Sequence, residues 1–273
     1  MTDSIGSLSA AATNGAALQA GGRRGEMRSI WRVARQRFLR HRAAAISLVI
    51  LCLEVALALA APALIPADLA TRPDPLNILQ PASAAHWLGT DEVGRDILAR
   101  LIYASRISLT IGFLSVVVAV TVGTTLGSIA GYFGGAADNA IMRLTDAVLS
   151  IPVLFFLIVL SVSLGPSVRT MVIVIGLLSW MELARIIRAT FLSLRKREFV
   201  EAARTIGTGN AAIIVRHILP NSLAPIVVAA TLGVGNALIT EATVSYLGLG
   251  VQPPTPSWGN MLYNAQSYFF NAP

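Results

Sequence analysis

Two carboxylates stand inside apolar runs of this chain: Glu54 near the middle of one and Glu241 near the end of another. A charge at the centre of a membrane helix costs roughly 2.5–3.5 kcal/mol on insertion scales, so such a group faces another helix or is protonated. A proton relay is the chemistry two such groups could perform. Neither has a His or Lys in its own run, and structural polar packing is the better reading of both. A second set, Asp91, Arg95 and Asp96, lies in a polar stretch and can form an ion-pair cluster bracing the loop before the next apolar run. Helix capping by Thr90 or Asp91 is the equal alternative. Glu182 and Arg185, one turn apart, read as an internal ion pair.

Other chemistries lack their residues. There is no G-x-x-x-x-G-K-[ST] phosphate loop, and the only lysine, Lys196, stands in no such context. G-x-S-x-G, H-E-x-x-H and C-x-x-C are also missing. His41, His86 and His217 are too far apart to read as a ligand cluster, and the lone Cys52 excludes an internal disulfide. No catalytic residue, metal site or cofactor is expected, and the chain is not expected to be an enzyme.

The elements that carry these residues are membrane spans. The chain is 55% hydrophobic and 13% charged, with a mean hydropathy of +0.68; soluble domains carry about 25% charged residues. Several runs exceed the ~18–20 apolar residues that cross a bilayer. The net charge of +7 sits in segments flanking these runs, as the positive-inside rule expects, and this argues against nucleic acid as a partner. Five spans are expected, at about 43–65, 107–131, 141–164, 168–190 and 220–245.

Residues 1–42 read as a cytoplasmic tail followed by an amphipathic basic helix over 28–42, where Trp31, Val33, Phe38 and Leu39 interleave with arginines. The stretch ALALAAPA imitates a cleavage site, but its run exceeds the ~7–15 residues of a signal core and reads as an uncleaved anchor. Residues 66–106 form a long external connection. Gly123, Gly127 and Gly131 recur every four residues and predict a helix-packing seam. Arg195-Lys196-Arg197 places the following segment in the cytoplasm. From Ser245 onward no residue is charged, and prolines and glycines preclude a regular helix through the first half of this stretch. By alternation it lies outside. Trp258, Tyr263, Tyr268, Phe269 and Phe270 suit a membrane interface.

Residues 198–220, EFVEAARTIGTGNAAIIVRHILP, form a short amphipathic segment between apolar runs. Phe199, Ala202, Ala203 and Ile206 recur at helical spacing and make one face; Glu198, Glu201 and Thr205 make the other. Glu201 is placed to pair with Arg197 or Arg204. Gly207 and Gly209 break the helix, and Asn210 can cap a second one carrying Ile213, Ile214 and Ile218. An ordinary interfacial helix is the plainer reading; a helix–turn–helix shaped to dock on a partner is the sharper one.

These residues resemble the EAA loop of ABC importer permeases. Glu201-Ala202-Ala203 is followed by Gly207 at the expected distance and by the ending Leu219-Pro220, with His217 where the general pattern has an apolar residue. A second stretch is similar to a signature of the oligopeptide/dipeptide (peptide/nickel) permeases: Gly89, Thr90, Asp91, Gly94, Arg95 and Asp96 carry it. The resemblance implies the C-type subunit and an all-α polytopic membrane helical bundle, a type I ABC importer permease core (107–273) preceded by an extra N-terminal transmembrane helix. It implies a cytoplasmic-membrane location and import of short peptides, with nickel chelates or glutathione as alternatives. The implied partners are a second homologous permease, two ABC ATPase subunits or one two-domain ATPase, an extracytoplasmic substrate-binding protein and the lipid bilayer. The loop 198–219, with Glu201, Ala202, Ala203, Ile206, Gly207, Leu219 and Pro220, would couple to the ATPase. Relatives usually continue into one more span, so five spans with the C-terminus outside are expected for the present sequence. A secondary transporter would need inverted repeats and midplane ion sites, and neither is visible. A membrane-anchored scaffold or sensor would use the loop for docking alone.

Overall fold

A computed structural model describes Gln36, Phe38 and residues 40–268. The tail and most of the basic helix expected over 1–42 lie outside the described residues, as do Phe269 and Phe270. The chain divides into two compact units at Ala56–Leu57, inside helix α1 (Arg42–Leu64). In the first unit Glu54 is partly exposed, and no ion pair among the described residues includes it.

The second unit holds the remaining helices: α2 (Ala67–Thr71), α3 (Ile97–Phe133), α4 (Gly135–Leu149), α5 (Val153–Leu164), α6 (Val168–Leu194), α7 (Glu198–Thr205), α8 (Leu223–Tyr246) and α9 (Trp258–Gln266). Among the described residues four helical stretches are long and apolar enough to cross a membrane, and a fifth crossing results if α4 and α5 form one broken span.

The bounds differ from the sequence expectation in four places. The second span was expected from about 107, yet α3 begins at Ile97 and takes ten residues from the connection. Asp96 starts it, its side chain accepting the Ala99 amide at 2.7 Å. At 1.5 Å per residue α3 is about 55 Å long, well beyond the ~30 Å apolar slab. The third span, expected whole over 141–164, is broken with a bend of 84° between α4 and α5. Pro152 is the cause: it has no N–H to donate and biases Ile151 away from helical backbone. The last span begins at Leu223 rather than 220, while the fourth runs on to Leu194.

The frame of the unit is α3 against α6. An added Cβ would lie 2.8 Å from the Trp180 carbonyl at Gly123, 2.6 Å from that of Ala184 at Gly127 and 2.7 Å from that of Arg188 at Gly131. Ser115 Oγ donates to the Val172 carbonyl, 57 residues away, and the three glycines keep that same offset. The two helices therefore run parallel and in register over four turns, with backbones in contact where only glycine fits. On the α6 side Gly176 meets Val118 in the same way.

Ion pairs fix α4 to α6. Arg185 pairs with Asp146, not with Glu182 as the sequence suggested, and Arg188 forks onto Asp138. The reason is reach: antiparallel α4 brings both aspartates alongside the arginines. Apolar side chains close one core around Ile111, Leu157, Met171, Ile175 and Val244. A second closes around Tyr132, Ile187, Phe191, Val200, Ile213 and Ile218. The second core holds the 198–222 segment against the C-terminal ends of α3 and α6.

Candidate functional site

Helix α7 turns Val200 and Ala203 inward, where both are buried against the second core. The apolar face read from the sequence is therefore divided. Ala203 packs inward with Val200, whereas Phe199, Ala202 and Ile206 remain exposed, Ile206 at 82%. Val200 was the missed residue; it stands three before Ala203 and completes the inward pair. Glu201 is exposed and forms no ion pair with Arg197 or Arg204.

Gly207 ends α7 at φ +80°. Its amide donates to the Arg204 carbonyl at 2.9 Å and the Thr208 amide to that of Ala203 at 3.0 Å. This is the Schellman pair of bonds, which satisfies the last carbonyls of a helix and requires left-handed backbone at the glycine. No atom lies within 4 Å of an added Cβ there. Conformation, and not crowding inside this chain, is what demands glycine.

The second limb begins at Asn210, which does not cap it: Gly209 holds the cap position. Asn210 Oδ1 instead accepts the Tyr132 hydroxyl at 2.7 Å. The limb widens into a π turn over Ile213–Ile218, with the Leu219 amide reaching back to the Ile214 carbonyl. Pro220 explains the widening, since it lacks a donor and crowds the turn before it. Asn221 Nδ2 donates to the freed His217 carbonyl at 2.6 Å. Leu219 is partly buried and Pro220 exposed. The chain then continues into α8, so Asn210–Tyr246 forms one apolar helical path of 37 residues.

Tyr132, which the sequence alone does not single out, is the fastening point. Besides Asn210, its ring lies 5.5 Å beneath the Arg204 guanidinium and its carbonyl accepts Arg195 Nη1 at 3.0 Å. The one sequence signal available was an aromatic hydroxyl two residues before the Gly134-Gly135 pair that ends α3.

At the other end of α3 the residues of the 86–96 stretch come together. Thr90 is buried and bonds the Gln80 amide at 2.8 Å. Asp91 Oδ1 accepts the Val93 and Arg95 amides, and its Oδ2 accepts Arg95 Nε at 2.7 Å and forms an ion pair with Arg100, whose Nε lies 3.3 Å away. Arg95 also reaches Glu92 at 3.3 Å. Bracing and capping are thus divided between the acids: Asp91 braces, and Asp96 caps α3 while meeting His86 Nδ1 at 2.9 Å. Arg100, which the sequence offers only as one of four arginines (with Arg72, Arg95 and Arg106) in the connection expected outside, is buried and donates Nη1 to the Ala70 carbonyl. An added Cβ at Gly94 would fall 1.8 Å from the Asp74 carbonyl, and one at Gly89 2.4 Å from that of Gln80. A cavity of about 780 Å³ opens beside this stretch, with Trp87, Leu88, Arg100, Met261 and Asn264 among its walls.

Neither cluster assembles a nucleophile with a base, and no group of three His, Cys, Asp or Glu among the described residues could hold a metal ion. What the unit offers is an exposed elbow fastened to Tyr132 at one end and a braced polar stretch at the other.

Residues 123–272, more than half of the chain, match the family described as binding-protein-dependent transport system inner membrane component. Residues 29–82 match the N-terminal transmembrane domain of oligopeptide transport permease C. The chain is 42% identical over 245 residues to the dipeptide transport system permease protein of Alkalihalophilus pseudofirmus, covering 90% of this chain and 80% of that one. It is 39% identical over 247 residues to the glutathione transport system permease protein of Pectobacterium atrosepticum, covering 90% and 82%. The oligopeptide transport system permease protein of Bacillus subtilis is 39% identical over 233 residues, covering 85% and 76%. The chain belongs to the family of inner membrane components of binding-protein-dependent transport systems, in the branch with the N-terminal region of oligopeptide permease C.

Proposed function

We propose that this chain is the C-type permease subunit of an ATP-driven importer of short peptides. It works beside a second homologous permease, above two ABC ATPase subunits or one two-domain ATPase, and receives substrate from an extracytoplasmic binding protein. The N-terminus and the elbow 198–222 face the cytoplasm; the 66–96 stretch and the segment after α8 face outside.

The observation that carries this reading is the exposed row Phe199, Ala202 and Ile206 on a short helix whose other side is packed. A helix in a charged stretch has no internal use for an exposed apolar row, and such a row fits a protein surface. Glu201 and Ala202 lie on the same exposed side and Gly207 sets the turn. Coupling needs an element that passes displacement on. The Schellman turn and the bonds to Tyr132 make this elbow stiff enough to move α3 and α8 when pushed.

Peptide cargo is supported by the relatives, whose names specify dipeptides, oligopeptides and the tripeptide glutathione. The test is co-expression with candidate ATPases, copurification, and uptake of labelled di- and tripeptides in vesicles. With Cys52 replaced by serine, a cysteine at Ile206 should crosslink to the ATPase and peptide uptake should require ATP. Uptake driven by a proton gradient with no ATPase bound would defeat the reading.

A further inference from the structure

Among the described residues Glu241 is the only carboxylate with no exposed surface, and no cation pairs with it. Each of its oxygens accepts one hydroxyl. Ser108 Oγ of α3 donates to Oε2 at 2.9 Å, and Ser245 Oγ, one turn further along α8, donates to Oε1 at 2.7 Å. Both hydroxyls are themselves acceptors for the segment that follows α8. The Val251 amide donates to Ser245 Oγ and the Trp258 amide to Ser108 Oγ, each at 3.2 Å. A serine hydroxyl has one proton to give. Glu241 takes that proton from both serines and so leaves their lone pairs facing the two amides.

The segment between those amides is seated tightly. An added Cβ at Gly250 would lie 2.0 Å from Ser245 Oγ, and one at Gly259 2.5 Å from the Ala242 carbonyl. Asn260 Nδ2 donates to the carbonyls of Val251 at 3.1 Å and Thr255 at 2.8 Å, which closes the segment into one unit. Trp258 Nε1 adds a bond to Ser105 of α3 at 3.3 Å. The helical path that starts at the elbow, Asn210–Tyr246, ends at this node. At 1.5 Å per residue it spans about 55 Å.

We infer that Glu241 is a positioning residue that latches residues 247–258 to α3 and α8, making this segment the far end of the body that the elbow drives. The segment then moves with α8 when the elbow moves. The inference rests on the elbow being the point of ATPase coupling. It separates the two ends: the elbow receives the displacement, and the latch decides whether the outside surface follows it.

The test uses the full complex in vesicles, with Cys52→Ser and Gln252→Cys, and a membrane-impermeant maleimide. With Glu241 present, the labelling rate at position 252 should differ between the nucleotide-free and vanadate-trapped states. Glu241→Ala should raise labelling about 5–30-fold, the range expected for losing one or two kcal/mol of local order, and abolish the difference between states while ATP hydrolysis persists. Glu241→Gln keeps the size and one acceptor oxygen and should retain only part of the nucleotide response, whereas a purely space-filling role predicts that all of it is retained. Gly250→Ala leaves the carboxylate in place but pushes the segment off Ser245; it should reproduce the loss and decides the matter if Glu241→Ala fails to assemble. A nucleotide response unchanged in Glu241→Ala, or in Gly250→Ala, overturns the latch. A site 252 that never responds although uptake is ATP-driven also overturns it, and leaves the permease reading standing. Failure of the Glu241 protein to engage any ATPase removes the coupling reading and this inference with it.

Discussion

Tyr132 gives its hydroxyl proton to Asn210 Oδ1 at 2.7 Å, a bond that closes 78 residues of sequence. It joins the last turn of α3 to the second limb of the elbow, and the same ring carries Arg204 of the first limb. Both limbs therefore hold to one buried side chain. Tyr132→Phe keeps the ring and removes the bond, leaving the Asn210 oxygen to find water. The expected cost is about 0.5–1.5 kcal/mol in stability, the net worth of one hydrogen bond whose exposed partner can turn to water. ATP hydrolysis should persist while peptide moved per ATP falls. A Phe variant with wild-type melting temperature and wild-type coupling ratio would show that the bond carries nothing.

Gly207 offers a cleaner separation of conformation from contact. Left-handed backbone costs an ordinary L-residue roughly 1–2 kcal/mol, while Asn tolerates it better. Among the described residues nothing lies within 4 Å of an added Cβ. For the isolated subunit, thermal stability should therefore rank Gly above Asn above Ala, with Val close to Ala or slightly below it for its branching. In the assembled transporter Val should lose far more uptake than Ala, because the extra methyls meet the partner. Equal losses for Ala and Val in uptake would place the partner elsewhere.

The parallel seam of α3 and α6 makes a third expectation. At Gly127 an added Cβ would stand 2.6 Å from the Ala184 carbonyl, a backbone atom that cannot rotate away. Gly127→Ala should cost about 1–3 kcal/mol through overpacking, and Gly127→Leu should abolish recovery of folded protein. By contrast Gly235, also in a membrane helix, has open space around its Cα. Gly235→Ala is the matched control and should be recovered at wild-type levels.

Much of this was legible in the residues. The spans, the glycine seam and the glycine-broken elbow followed from apolar run length, spacing and turn chemistry, which are local properties of the chain. The break at Ile151–Pro152 was not read, because a proline inside an apolar run either kinks or ends a helix and only packing decides which. The early start of α3 was hidden by Arg100 and Arg106, whose charges look external until Asp91 is seen to neutralise Arg100. Arg185 was assigned to the nearest acid in sequence. Its partner, Asp146, lies 39 residues away on a helix whose direction the sequence did not reveal. Partners separated by a bend were the ones missed, as with Tyr132 and Asn210.

Asp91 holds the polar stretch at the head of α3, and its removal should separate folding from transport. Its two oxygens accept two backbone amides and Arg95 Nε, and Oδ2 ion-pairs with Arg100. Both arginines are buried, and Arg100 has no other acidic contact within ion-pair distance among the described residues. Asp91→Asn keeps an oxygen for the amides but leaves Arg100 uncompensated, and breaking a buried pair from one side costs about 3–5 kcal/mol. The expected result is poor recovery of the subunit at growth temperature, partly restored at lower temperature. The double change Asp91→Asn with Arg100→Gln removes both charges and should recover more than half of the lost stability, since the penalty comes from the stranded cation. Thermal unfolding of the purified variants measures this directly. If the double variant is less stable than Asp91→Asn alone, Arg100 contributes through its bond to the Ala70 carbonyl and its packing, and the ion pair is secondary.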